Sequence, residues 1–296
     1  MGQKWKRLVG WGTEITWGAA VPVSKWFTAH GDVSLGVNPR YERSQESRQT
    51  RQPHNHLRVG WEANGDIPDI EVRDGEFDDW WKYALGENPS GGVYRVKDGG
   101  IPSVTLEENK NGKTGWRWYG CKVQSMSLEA SPGNILQANI SLVAKKGLEI
   151  GLASLAAPSF SATDPYVFHQ GTFKIDAAEA TIFDFKCEIA NNLKYPRWAS
   201  GSKYSLEPTE AMAEVTGTFQ IDHADADNWN KIQGATRAAL NYVFTDGTNT
   251  LTIDFPRVVF NEPLGWSFDD AEVMEEVGWT AERKPDGTNE MTVTIT

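Results

Sequence analysis

Gly65–Leu85 reads GDIPDIEVRDGEFDDWWKYAL, and the change of period inside it decides the fold. Ile67, Ile70 and Val72 alternate with Asp69, Glu71 and Arg73, the pattern of a half-buried strand. The period then lengthens. Phe77, Trp80, Trp81 and Ala84 recur at three- and four-residue steps, which places them on one face of a short helix. Asp74 is the expected N-cap, and Glu76, Asp78 and Asp79 set acid in the first turn, where the helix dipole favours it. Gly86 is the expected stop. The unit is a strand, a cap and a short helix anchored by Trp80 and Trp81.

The same unit returns as TFQIDHADADNWNKIQGATR, from Thr218 to Arg237. Val72 aligns with Ile221, Asp78 with Asp227, Trp80 with Trp229 and Lys82 with Lys231, each pair 149 residues apart. Trp229 is accordingly the expected core anchor of the second helix. A repeat of half the 296-residue chain implies two copies of one domain, since solenoid periods run about 20–50 residues. The boundaries expected are 1–147 for a first domain with an N-terminal arm, 148–166 for a linker of small residues and prolines, and 167–296 for a second domain. TIFDFKCEIA, near residue 183, resembles the strand VSLGVN that begins at Val33, at a spacing of about 150.

Between these landmarks the chain reads as strands. A hairpin turns near Lys110–Gly115, SPGN makes another turn at 131–134, and ILQANISLVAKK alternates well. Asp246-Gly247 marks the tip of a further hairpin. With 28 glycines and 13 tryptophans, the composition leans to a mainly β chain of sandwich- or barrel-like sheets, one short helix flanking each domain. From Arg40 to Asn55 the chain is polar and without periodicity, and it carries Arg40, Arg43, Arg48 and Arg51 against Glu42 and Glu46. Such a length is unusual for a hairpin connection and marks a functional loop.

The formal charge of −11 argues against a surface that holds nucleic acid, because phosphate binding needs clustered Lys and Arg. Cys121 and Cys187, one in each half, read as buried thiols. No run of about 18 apolar residues appears, so no membrane span is expected. His54 and His56 lack a third ligand, and the neighbouring carboxylates Asp78 and Asp79 do not share a helix face. No catalytic, cofactor or metal site is predicted, and the chain reads as a non-enzyme. The tryptophans leave one alternative class open, a carbohydrate- or receptor-binding tail or surface module, with a secreted hydrolase behind it.

GWGTEITWGAAVPV at Gly10–Val23, the strand-to-helix centre Gly65–Glu87, and CKVQSMSLEASPGNILQANISLVAKK at Cys121–Lys146 resemble the tail tube (major tail) proteins of long-tailed bacteriophages. The resemblance is fullest over residues 1–147. It implies a structural virion protein, assembled in the host cytoplasm, whose rings stack into a hollow tail tube. A tandem pair of domains implies a trimer that mimics a hexamer. The partners implied are other copies of the chain, the tape measure, terminator or tip proteins, and DNA that passes through without specific binding. It also implies that the loop of Arg40, Arg43, Arg48 and Arg51 reaches the next ring, where arginine forks can hold carboxylates.

Overall fold

In a computed structural model, which describes residues 8–28, 33–43, 56–86, 90–110, 112, 114–151, 155, 157–223, 227–268 and 273–296, the two halves of the chain run through the same pairing order. The first half holds β1 (Leu8–Thr13), β2 (Lys25–Thr28), β3 (Gly36–Arg43), β4 (His56–Glu71), α1 (Asp78–Leu85), β5 (Val93–Arg95), β6 (Val104–Lys110), β7 (Thr114–Ala130), β8 (Gln137–Ala144) and β9 (Lys146–Ile150). The second holds β10 (Gly171–Ile175), β11 (Ala178–Ala180), β12 (Ile182–Ala190), β13 (Glu214–Asp222), α2 (Asp227–Gln233), β14 (Arg237–Thr245), β15 (Thr250–Phe268), β16 (Val273–Ala281) and β17 (Thr292–Ile295).

One layer of the first half is β2–β1–β6–β7 with β9 along β7. The other is β7–β8–β4–β3. The second half repeats both, as β11–β10–β14–β15 with β17 along β15, and as β15–β16–β13–β12. All these pairings are antiparallel. β7 and β15 serve both layers because they are long enough to bend from one to the other. Register shifts at Val123/Ser125 and at Asn261/Gly265 supply the extra residues that such a bend requires. Among the described residues β5 has no counterpart in the second half.

The halves are joined by ladders. β12 pairs with β7 from Phe185↔Ala130 to Ala190↔Ser125, and β17 pairs with β5. One continuous apolar core therefore includes Trp11, Trp80 and Trp118 of the first half with Phe185, Tyr242 and Trp279 of the second. At Gly92 (φ +75) a side chain would meet the Ile295 carbonyl at 2.3 Å, so glycine is what lets the C-terminal strand lie against the first half.

Several expectations change. The helix starts at Asp78 with Phe77 in the capping position, not at Asp74, and no side chain caps it. Instead Gly75 N–H donates to Asp78 Oδ1 and Phe77 N–H to the Arg73 carbonyl, a preceding turn that satisfies the backbone. Gly86 closes the helix in the left-handed conformation (φ +86). The strand expected at Val33 is ladder-paired as Gly36–Arg43, and the return strand begins at His56. Arg40 and Arg43 thus lie on β3 rather than in a loop, because an edge strand of an exposed ribbon needs no apolar alternation. Arg48, Arg51 and His54 lie outside the described residues. The first residues of the expected linker, to Ile150, belong to β9.

Candidate functional site

The seam between the halves is where the side-chain chemistry gathers. β12 returns antiparallel as β13 only after a long connection, residues 191–213, which folds over the first half. Tyr195 is the hub: its hydroxyl accepts from Ala63 N–H at 2.7 Å and lies 3.1 and 2.9 Å from the carbonyls of Ala63 and Ala144. Burial pushes the phenol up to about 12, so it stays protonated and can serve both roles. Asn191, buried, donates to the Ala84 and Val123 carbonyls and ties the start of the connection to α1 and β7. Trp198 covers Gly60, where a side chain would collide with its ring at 2.7 Å, and Arg40 stacks on the same indole.

Lys122 is 2% exposed and takes Glu207 and Glu210 from this connection, both at 2.7 Å. Burial alone would raise the Glu210 carboxyl, but the Lys122 ammonium outweighs it and holds Glu210 below the ordinary range. Removing both carboxylates would leave the Lys122 ammonium buried without compensation, which is the costly state for such a group.

The first-half helix makes a second cluster. Trp80 and Trp81 are buried, and Trp80 packs against Trp11, Phe27 and Tyr83 at centroid distances of 5.7, 5.9 and 5.5 Å. Asp79 is held by Lys25 at 2.9 Å and by Trp11 Nε1–H at 3.3 Å. Beside it, burial and then the charge of Asp74 push the Asp78 carboxyl up to about 6. Trp229 does not repeat the role of Trp80. It is 45% exposed, and α2 has no buried residue, although Ile232 touches the core. Both cysteines are buried, and among the described residues no cluster of His, Cys, Asp and Glu has metal-binding geometry.

Several strands pair on one side only among the described residues, and two of those edges correspond to the seam between the halves. One is the edge of β3 that faces away from β4. The other is β15 beyond Val259, which pairs with β16 on one side only. Within the chain, the matching edges, β12 and the end of β7, are the two that pair with each other.

Tyr195, Asn191, Lys122 and Glu210 were not singled out by sequence reasoning. A signal for the first exists: NPRYER at Asn38–Arg43 and NLKYPR at Asn192–Arg197 share Asn, a base, Tyr and Arg at the same spacing. Arg40 reaches Glu62 at 3.5 Å, and Arg43 ends β3 exposed. No curated protein matches this chain. A family model described as phage tail tube protein matches residues 5–296.

Proposed function

The chain belongs to the phage tail tube protein family, a structural component of the virion tail, and from that premise we propose that each copy supplies two quasi-equivalent domains to a closed trimeric ring, and that rings stack into the tube. The observation that carries this reading is the internal seam. Strand order is the same in both halves, and the edge strand of the second half already pairs with the long strand of the first. Repeating that step between copies joins the β3 edge of one chain to the one-sided end of β15 in the next. Such a contact is heterologous and closes on itself if the rotation is right.

Each chain would then contribute eight strands, β3, β4, β8 and β7 with β12, β13, β16 and β15, to a ring-wide barrel. Twenty-four strands at a spacing of about 4.8 Å and a tilt of ~35–45° enclose a bore roughly 45–50 Å across, backbone to backbone. On the face of this sheet away from the core, Asp66, Glu71, Glu129, Asp184, Glu188 and Glu276 stand among Ser, Thr, Asn and Gln, with Lys186 as a counter-charge. A wall of that kind repels phosphate and lets a duplex slide without being held. We assign contact with the next ring to the segment between Arg43 and His56, whose sequence carries Arg48 and Arg51, with tape measure, terminator and tip proteins at the tube ends. Assembly takes place in the host cytoplasm.

The test is electron microscopy and native mass spectrometry of purified protein over a range of concentrations. Rings of three chains, stacking into tubes with an open bore, are expected. A chain that stays monomeric at every concentration, or closes with another subunit number, overturns the reading.

A further inference from the structure

We propose that the two ends of the shared sheet are complementary docking faces, and that the basic, aromatic end at Arg58 and Lys203 of one copy seats on the acidic end at Asp164 and Asp222 of a copy in the next ring. The proposal rests on the ring reading above and deepens it by naming both faces of the stacking contact.

Register fixes which residues share an end. Gln137 pairs with Glu71 and with Glu129, and the neighbouring Ala130 pairs with Phe185. Ile182 pairs with Ile221, and Asp222 with Met274. These pairs make one level across both halves. Asp164 lies just past it, since Arg73 bridges to Pro165 and Tyr166 N–H donates to the Val72 carbonyl. At the other end Ala63 pairs with Ala144, and Ala190 with both Ser125 and Glu214. β4 begins at His56, so the β3–β4 ribbon projects roughly 20 Å past its last pairing with β8.

Charge divides between these ends. On the ribbon and the chain lying against it, Arg58 stacks on Trp61 at 5.2 Å, Lys203 on Trp61 and Tyr204 at 5.8 and 5.2 Å, and Arg40 on Trp198 at 5.4 Å. Tyr41, Leu57, Val59 and Leu206 are exposed in the same segments. Among the described residues no carboxylate forms an ion pair with Arg58 or Lys203. The rings hold these cations in place without neutralising them. At the opposite end Asp164, Asp222 and Glu276 are exposed, and among the described residues no cation forms an ion pair with any of the three. Val273 and Phe160 are exposed there too.

On a chain of net charge −11, cations and exposed apolar side chains thus gather at one end and uncompensated acid at the other. In a ring-wide barrel the strands tilt by ~35–45°, so their ends point to the rings above and below. Head-to-tail stacking then sets the basic end on the acidic one, whereas head-to-head stacking opposes like charges. The contact is heterologous and repeats without closing, which gives the stack one direction.

The test is a charge swap in the full chain. Arg58→Glu/Lys203→Glu makes both ends acidic, and Asp164→Lys/Asp222→Lys makes both basic. Native mass spectrometry follows ring closure; sedimentation and microscopy follow stacking. Each variant alone is expected to form three-chain rings but to need about tenfold or more protein to stack. An equimolar mixture is expected to stack as wild type does, because rings of the two kinds alternate. Wild-type stacking is expected to weaken with added salt. Tubes from either variant alone at wild-type concentration, or no recovery in the mixture of well-formed rings, overturn the contact and leave the ring standing. Where charge reversal prevents ring closure, Arg58→Gln/Lys203→Gln and Asp164→Asn/Asp222→Asn replace it, and an unchanged stacking concentration overturns the contact. A labelled DNA duplex that binds the wild type but not Arg58→Glu/Lys203→Glu assigns the basic end to nucleic acid and also overturns it. If the wild type forms no rings, the ring reading falls and takes this contact with it.

Discussion

Helices α1 and α2 stand at the same place in two sheets of the same strand order, yet α1 buries Trp80, Trp81, Tyr83, Ala84 and Leu85, and α2 buries none of its residues. The second half moves its aromatic mass into strands: Phe173, Phe185, Phe219, Tyr242 and Phe255 form the cluster that the helix tryptophans supply in the first. Strand order is held by backbone hydrogen bonds and by the alternation of faces, which many side-chain sets satisfy. Where the large rings sit is settled by volume, and volume can be filled from the helix or from the sheet. Two halves of one architecture can therefore differ in which element carries the core.

That contrast is sharpest at its tryptophans. Trp80→Ala opens a cavity among Trp11, Phe27 and Tyr83 and is expected to cost about 3–5 kcal/mol. Trp229→Ala, at an exposed position, is expected to cost less than about 1 kcal/mol. Denaturant unfolding of the two variants decides whether the helices differ as described; equal losses would break the comparison.

The seam comes next. Lys122→Met removes the only cation that Glu207 and Glu210 share across the halves among the described residues. Both carboxylates reach water in part, so the loss is expected at about 1–3 kcal/mol, below that of a fully buried pair. Adding Glu210→Gln, which keeps an acceptor for Ile101 N–H, should recover part of it in a double-mutant cycle.

The smallest effect is in pH, where helix and seam have opposite signs. The folded Asp78 carboxyl titrates near 6 against an ordinary 3.8, so between those values the folded chain binds the extra proton and its stability falls as pH rises. Glu210 is lowered below 4.5, so its contribution is present above 4.5 and is lost as pH falls through the lowered value. Asp78→Asn should raise the Tm at pH 7 by about 1–3 °C and flatten the slope between pH 4 and 6, while Glu210→Gln should leave that slope in place. Thermal scans across pH 3–8 would show both.

Much of this was legible in the chain itself. The alternation at Ile67, Ile70 and Val72, the stop at Gly86 and the turn at Asp246-Gly247 are local or periodic, and they emerge where a strand, a left-handed cap or a tight turn demands them. The extent of β3 was not legible, because Asn38, Arg40 and Glu42 on an exposed ribbon satisfy a ladder without any apolar signature. The start of α1 was not either, since Asp74 has the right chemistry for a cap and the turn at Gly75–Phe77 places the first helical residue further on.

By itself the sequence determined a mainly β protein with an acidic balance and motifs of the tail tube family. Those are properties of residues near one another in the chain or of sums over it. Only the tertiary structure decided that Trp80 is core and Trp229 surface, that the halves share one sheet and one core, and that Tyr195 bonds the backbone of the first half while Tyr41 is exposed. Aligned residues with equal chemistry diverge because burial depends on what the neighbouring half brings to each face. The edge of β12 meets the first half within one chain, whereas among the described residues the corresponding edge of β3 pairs on the β4 side only.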